Sequence, residues 1–218
     1  MELTVSKEDY LKAIAEAESE EGQVIAATLV RWLGLSPPAV TLALRRLQRA
    51  KLVAVGAQGR IRLTAQGRAL ANHMRLRHHL IERMLHEMLG VEWYKVHEEA
   101  ERLEHSISPD VEQRLIAKLG PGGLCPHGNP INKSAGERRK AGLVPLWEAP
   151  LGERVRVAGM HERDRQLLEY FDRLGLRPGR SVAVASRNYD QTLTLEAGAA
   201  PVTIAAAAAQ KIWVSALE

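Results

Sequence analysis

Cysteine is nearly missing from this chain: of 218 residues only Cys125 carries a thiol. No intramolecular disulfide framework is therefore available, and the composition fits a reducing cytosol. Long hydrophobic runs are missing too, so no stretch approaches a membrane-spanning helix. The first nine residues hold neither a basic segment nor the apolar core of a secretory leader. These absences predict a soluble cytoplasmic protein that does not engage a membrane. A further absence is local. Between Glu21 and Glu82 there is no acidic side chain, while Arg31, Arg45, Arg46, Arg49, Lys51, Arg60, Arg62, Arg68, Arg75 and Arg77 all lie in that window. The net charge of +4 is weak evidence for a polyanionic partner. Cations gathered without intervening carboxylates are stronger evidence, because a one-sided field draws phosphate backbones.

What is present, 45% hydrophobic residues over this length, suffices for two small domains with a core in each. Residues 7–20 place Tyr10, Leu11, Ile14 and Ala15 on one helical stripe, with Ser6 as the expected N-cap. Gly22 breaks that helix, and Val24 to Leu33 reads as a second one ending at Gly34. Ser36 then caps a third helix, with Pro37 at its first position, running to about Ala50. Leu52–Val55 and Arg60–Thr64 alternate around the turn Gly56–Gly59 and predict a β-hairpin. Helix, turn, helix and hairpin together predict a winged helix-turn-helix, and the acid-free window coincides with it. On the third helix Ser36, Pro38 and Thr41 are placed to reach base edges. Arg45, Arg46 and Arg49, with Arg60 and Arg62 on the wing, are placed as phosphate clamps. The competing reading is a helical hairpin that merely packs.

From Thr64 a long helix is expected to about Arg77 and, after a bend, on to Leu89. Its apolar face of Met84, Leu85, Met88 and Leu89 is either core or the dimer surface that a reader of a palindrome needs. The run Val96–His105 follows, in which helical spacing puts His97, Glu101, Glu104 and His105 on one face. His78 and Glu82 repeat an i, i+4 pair on the preceding helix, and Asp9 stands on the first. Imidazoles and carboxylates converging in this way are the inventory of a divalent-cation site; the plainer reading is a solvated acidic face. A helix from Ser108 to Leu119 leads to a turn with Cys125 and His127 two residues apart. Residues 132–149 read as a polar linker. Beyond Pro150, short alternating runs (Arg154–Val157, Ser181–Val184, Ile212–Val214) predict a small β-rich domain interrupted by one helix, Asp164 to Leu174. The run Ala205–Ala209 is compositional bias.

Taken together, Glu8-Asp9-Tyr10-Leu11, Ser36-Pro37-Pro38-Ala39-Val40, Leu63-Thr64-Ala65-Gln66-Gly67-Arg68, His78 to Glu82, Val96-His97-Glu98-Glu99-Ala100, Glu104-His105 and Cys125-Pro126-His127-Gly128-Asn129-Pro130 span nearly the whole chain. In these the chain resembles the diphtheria-toxin-repressor family of metal-dependent transcriptional regulators, more closely its manganese-responsive branch. The resemblance implies a mainly α fold with β. Residues 1–73 would be a winged helix-turn-helix domain, 74–131 a helical dimerisation and metal-binding domain, 132–149 the linker, and 150–218 an SH3-like small β-barrel of the iron-transport-A type. It implies that Asp9, Glu101, Glu104 and His105 form the primary activating site. His78, Glu82 and His97 would form a neighbouring one, with Cys125, His127 and Asp164 as further ligands.

Met and Cys stand in the iron-responsive branch where this chain has Asp9 and Glu101, and hard carboxylates suit Mn²⁺ better than sulfur does. Leu42 and Lys12 depart from polar or acidic residues of the relatives. The function so implied is a homodimeric, Mn²⁺-dependent repressor of metal-uptake genes, binding a palindromic operator in double-stranded DNA. The alternatives are activation by Fe²⁺ within the same family, or a metalloenzyme. The enzyme reading is the poorer one, since no His-Glu-x-x-His pattern is present and catalysis leaves the basic winged unit unexplained. Peptide binding by the last domain is disfavoured by its few aromatics, Tyr170, Phe171, Tyr189 and Trp213.

Overall fold

The computed structural model describes residues 5–131, 135–198 and 200–217, excepting the side chains of Val5 and Ser6. The chain divides into two compact units: the described residues through His78 with 135 and 136, and those of 79–131 together with Glu137 onward.

In the first unit helix α1 (Val5–Glu21) buries Tyr10, Leu11, Ile14 and Ala17. Ser6 lies inside this helix rather than capping it. Helix α2 (Ala26–Leu33) starts later than the sequence suggests, because Val24 is drawn into a bridge with the hairpin: Ile61 N donates to Val24 O at 2.8 Å. Gly34, at φ 65°, ends it in the left-handed conformation that a Cβ disfavours. Helix α3 (Pro37–Arg49) opens where expected, with Ser36 Oγ accepting from Ala39 N at 3.4 Å. Strands β1 (Val53–Val55) and β2 (Ile61–Leu63) pair antiparallel, Val53 opposite Leu63. Leu29, Val40, Leu44, Leu47, Leu52 and Ile61 join the α1 stripe in one core. This is the winged helix-turn-helix.

Helix α4 (Ala65–Arg83) is tied to the wing at its first turn: Thr64 Oγ1 donates to Lys51 O (2.8 Å) and accepts from Gly67 N (3.1 Å). At Gly67 a Cβ would lie 2.0 Å from Leu52 O, so only glycine lets the helix approach the hairpin this closely. In the second unit α4 gives way to a π-helical turn, Met84–Met88. The expected apolar face splits there, with Leu85 buried and Met88 and Leu89 exposed. Helices α5 (Val96–Leu103) and α6 (Pro109–Leu119) follow, and Ser108 caps α6. Ile81, Leu85, Val96 and Ala100 form a small core that joins α4 and the π-helical turn to α5.

The stretch expected as a linker is largely structured. It holds α7 (Ala135–Lys140), β3 (Val144–Pro145) and a 3₁₀ turn, Leu146–Glu148. Leu146 is fully buried in the C-terminal core, and the Arg138 and Arg139 guanidinium groups stack 5.4 and 5.8 Å from the Trp213 ring. Arg139 also makes a two-pronged pair with Glu148. Few apolar side chains anchor a segment whose composition reads as polar. Strands β4 (Arg154–Met160), β5 (Ser181–Arg187), β6 (Thr192–Glu196), β7 (Pro201–Ala205) and β8 (Ile212–Ala216) complete an antiparallel sheet of order β3-β8-β4-β5-β6-β7. Helix α8 (Arg165–Arg173) packs Leu168 and Phe171 onto it, and the alanine run forms a short helix α9 (Ala206–Ala209). Trp93, from the segment before α5, enters this same core and donates from Nε1 to Asp172 at 2.5 Å. The helical segment and the small β domain thereby share one interior. Among the described residues no single helix is long and apolar enough to cross a membrane.

Candidate metal centre

The second unit gathers four donors from three places in the chain. Glu82 sits on the last turn of α4, Cys125 and His127 on the turn after α6, and Glu162 just beyond β4. The turn is built by Cys125 N donating to Asn129 O (2.9 Å) and Gly128 N to Cys125 O (2.8 Å). It is fastened to β4 by Met160 N donating to His127 O at 2.9 Å. Gly128, at φ 79°, lies so close to that strand that a Cβ would meet Ala158 O at 2.2 Å.

Cys125 Sγ lies 3.7 Å from His127 Nδ1 and donates to Glu162 Oε2 at 3.4 Å. His127 Nδ1 is 3.6 Å from Glu82 Oε1 and 3.8 Å from Glu162 Oε2. All four donor atoms fall within 4.8 Å of one another. An ion bound at about 2.0–2.3 Å in a tetrahedral site spaces its ligands by roughly 3.3–3.8 Å, so these residues fit a divalent transition metal. Their chemistry fits too: two carboxylates, one imidazole and one thiol in a buried setting, with Glu82 and His127 fully enclosed. Burial pushes the Cys125 thiol well above its ordinary value, helped by the charges of Glu162 and Glu82. Burial also lowers His127, against the pull of the same two carboxylates. Burial and Glu82 act to raise the Glu162 carboxyl, but the imidazoles of His97, His127 and His79 outweigh them and hold it at about 2.

Of the residues expected at a neighbouring site, Glu82, Cys125 and His127 are thus brought together. His97 stands beside them, its Nδ1 donating to Glu82 Oε1 at 3.1 Å. Glu101, expected in the primary set, is exposed on α5 with a carboxylate oxygen 3.6 Å from His97 Nε2, so the two expected sets meet at that pair. His78 is buried on α4 one turn before Glu82, where the Nζ of the buried Lys12 approaches its Nδ1 at 3.5 Å. Asp9 is half-buried on α1 in the first unit. Glu104 and His105 lie just past the end of α5 rather than within a continued helix; Glu104 is buried, and His105 Nε2 is 3.6 Å from its carboxylate.

Asp164 is not among the gathered donors. Its carboxylate accepts from Leu167 N at 3.0 Å as the N-cap of α8, and Glu162, two residues earlier, supplies the acidic donor instead. The loop from β4 to α8 offers two carboxylates, and its sequence alone does not separate the cap of α8 from the acid that faces Cys125 and His127. On α3, Ser36, Pro38, Thr41, Arg45, Arg46 and Arg49 are all exposed; on the wing Arg62 is exposed and Arg60 half-buried.

Comparison with known proteins identifies three domains along the chain. Residues 2–59 match the iron dependent repressor N-terminal DNA binding domain, residues 64–133 the iron dependent repressor metal binding and dimerisation domain, and residues 144–216 the FeoA domain. The iron-dependent repressor IdeR of Mycobacterium tuberculosis is 36% identical over 176 residues, covering 78% of this chain and 74% of that protein. The diphtheria toxin repressor of Corynebacterium efficiens is 33% identical over 193 residues, covering 84% of each. A manganese-dependent transcriptional repressor in complex with manganese superposes with a TM-score of 0.84 at 32% identity, over 97% of this chain and 100% of that one. ScaR with bound Zn²⁺ gives 0.79 at 29%, over 97% and 99%. With a DNA-binding domain, a metal-binding and dimerisation domain and a FeoA domain in that order, the chain belongs to the diphtheria-toxin-repressor family of metal-dependent, DNA-binding transcriptional repressors, which are not enzymes.

Proposed function

We propose that this protein is a manganese-activated repressor of metal-uptake genes that binds a palindromic operator as a homodimer. The observation that carries the metal dependence is the buried quartet of Glu82, Cys125, His127 and Glu162, whose donor atoms are spaced as ligands of one ion would be. His97 adjoins it. The activating ion itself is assigned to Asp9, Glu101, Glu104 and His105, an all-oxygen-and-nitrogen set in which hard carboxylates favour Mn²⁺ over selection by thiolate. A solved relative of this family is described as manganese-dependent, which supports the same reading. When bound, the ion supplies a concentrated divalent charge that these side chains can face only together.

The residues do the rest. Asp9 is carried by α1, whose Tyr10, Leu11 and Ile14 pack with Val40 and Leu44 of α3 in one core. Fixing Asp9 therefore fixes the helix that presents Ser36, Pro38 and Thr41 to bases and Arg45, Arg46 and Arg49 to phosphates. Such coupling requires that metal favour the DNA-competent arrangement over others. Activation by Fe²⁺ is the second reading, favoured by the Cys125 thiol and by the iron-dependent relatives. The deciding experiment is an operator-binding titration with Mn²⁺, Fe²⁺ and Zn²⁺ at controlled free-metal concentrations, with a chelator control. Glu104→Gln and His105→Ala should abolish the Mn²⁺ response while leaving a folded dimer. A variant that keeps the native midpoint would remove these residues from the activating site.

A further inference from the structure

The motif Cys125 to Pro130 contains one buried polar side chain that the metal reading does not use. Asn129 is 6% exposed. Its backbone carbonyl accepts from Cys125 N at 2.9 Å, which shapes the turn. Its side-chain amide nitrogen donates to Glu162 Oε2 at 2.6 Å and to Met160 O at 2.7 Å. The oxygen it grips is the same Glu162 Oε2 that faces Cys125 Sγ and His127 Nδ1. Glu162 stands in the largely half-buried connection between β4 and α8, its side chain 20% exposed. A glutamate side chain has several staggered rotamers, and the hydrogen bond from Asn129 selects one of them.

Space for Asn129 is also built in. At Gly159 a Cβ would stand 2.8 Å from Asn129 Oδ1, so a side chain at 159 would displace the amide. The Oδ1 has no hydrogen-bond partner among the described residues, and the donating end is the one held in place.

We infer that Asn129 is the positioning residue of this metal centre, holding Glu162 in the ligand-competent rotamer before an ion arrives and tying that carboxylate to the turn that carries Cys125 and His127. The inference rests on the proposed occupancy of the quartet by a divalent ion, and is independent of whether Mn²⁺ or Fe²⁺ activates the repressor. Outer hydrogen bonds of this kind are worth about 10–100-fold in metal affinity. Because the amide acts through Glu162, its loss and the loss of Glu162 should not compound.

The test is a Co²⁺ titration of the full chain, following the thiolate-to-cobalt charge-transfer absorbance. Only Cys125 can produce that band, as the single cysteine. Asn129→Ala should shift the midpoint of the band about 10–100-fold to higher free Co²⁺ while its intensity at saturation stays near native. Asn129→Ala with Glu162→Ala should be no weaker than Glu162→Ala alone. A native midpoint in Asn129→Ala, or losses that multiply in the double variant, overturns the inference. Multiplying losses would show that Asn129 supports the turn without acting through Glu162. If Asn129→Ala fails to fold, Asn129→Leu, which keeps the side-chain volume and removes the donor, is carried through the same cycle with Glu162→Ala and judged by the same outcomes. Absence of the band from the native chain overturns both this inference and the metal reading of the quartet, whereas a native band unaffected by these substitutions overturns the inference alone.

Discussion

Two carboxylates in one loop, Glu162 and Asp164, show how much a single residue's surroundings decide. Asp164 satisfies an orphan N–H at the start of α8, so Asp164→Ala should cost about 1 kcal/mol of stability and leave the Co²⁺ midpoint unchanged. Glu162→Ala should do the opposite, lowering metal affinity with little change in the thermal midpoint of the metal-free chain. Chemical denaturation alongside metal titration separates the two, and a metal defect in Asp164→Ala would restore it as a ligand. Gly128 is a harsher case. Its positive φ alone costs a side chain about 1–2 kcal/mol, and the Ala158 carbonyl leaves no room for a Cβ. Gly128→Ala should therefore destabilise the turn by more than that conformational cost and weaken the quartet at the same time. Ordinary binding by a folded Gly128→Ala would mean that the turn can draw away from β4 without moving His127.

Among elements, the recognition helix and the wing were legible because their signals are local. Ser36 and Pro37 cap one end of α3, Gly34 stops the helix before it, and the alternating hairpin strands flank a glycine-rich turn. Where local pattern is overruled by packing, the sequence misleads. Val24 joins the wing instead of α2, and the helix expected through Leu89 passes into a π-helical turn at Met84. The polar segment after Ile131 is anchored by Leu146 and by two arginines stacked on Trp213, partners far away in the chain. The ligands of the quartet on α4 and on the Cys125 turn were readable as residue types. Glu162 was not, since its partners Cys125, His127 and Asn129 lie more than thirty residues earlier in the chain. The basic face carries a prediction at this scale. Arg60 and Arg62 on the hairpin and Arg45, Arg46 and Arg49 on α3 would displace counterions from two half-sites, so log affinity should fall steeply with log salt. Arg60→Ala should flatten that slope by about 2 in a dimer, one phosphate contact per protomer. A level plot for the native protein would remove these residues as phosphate clamps.

At the scale of the whole molecule the question is which metal the repressor answers to, and under the function proposed above the answer turns on donors contributed by distant parts of the chain. Asp9 comes from α1 and Glu101 from α5, and both are carboxylates where the family resemblance implies sulfur in the iron-responsive branch. Replacing them together, as Asp9→Met with Glu101→Cys, removes two hard anionic oxygens and supplies two soft donors. Activation by Mn²⁺ should then weaken relative to Fe²⁺ or Co²⁺. Intrinsic affinities already rise from Mn²⁺ through the later first-row ions. A bare Mn²⁺ midpoint therefore decides nothing, and the informative quantity is the ratio of activation midpoints in the variant against the same ratio in the native protein, at buffered free metal. The new thiol at 101 would add its own charge-transfer band to that of Cys125, so Co²⁺ binding at the altered site can be followed separately in a Cys125→Ser background. A ratio that moves toward the softer ion, with operator binding intact at saturating metal, supports selection by donor hardness at Asp9 and Glu101. A ratio that stays put under those conditions transfers selectivity to the quartet of Glu82, Cys125, His127 and Glu162, where the one native thiol of the chain lies.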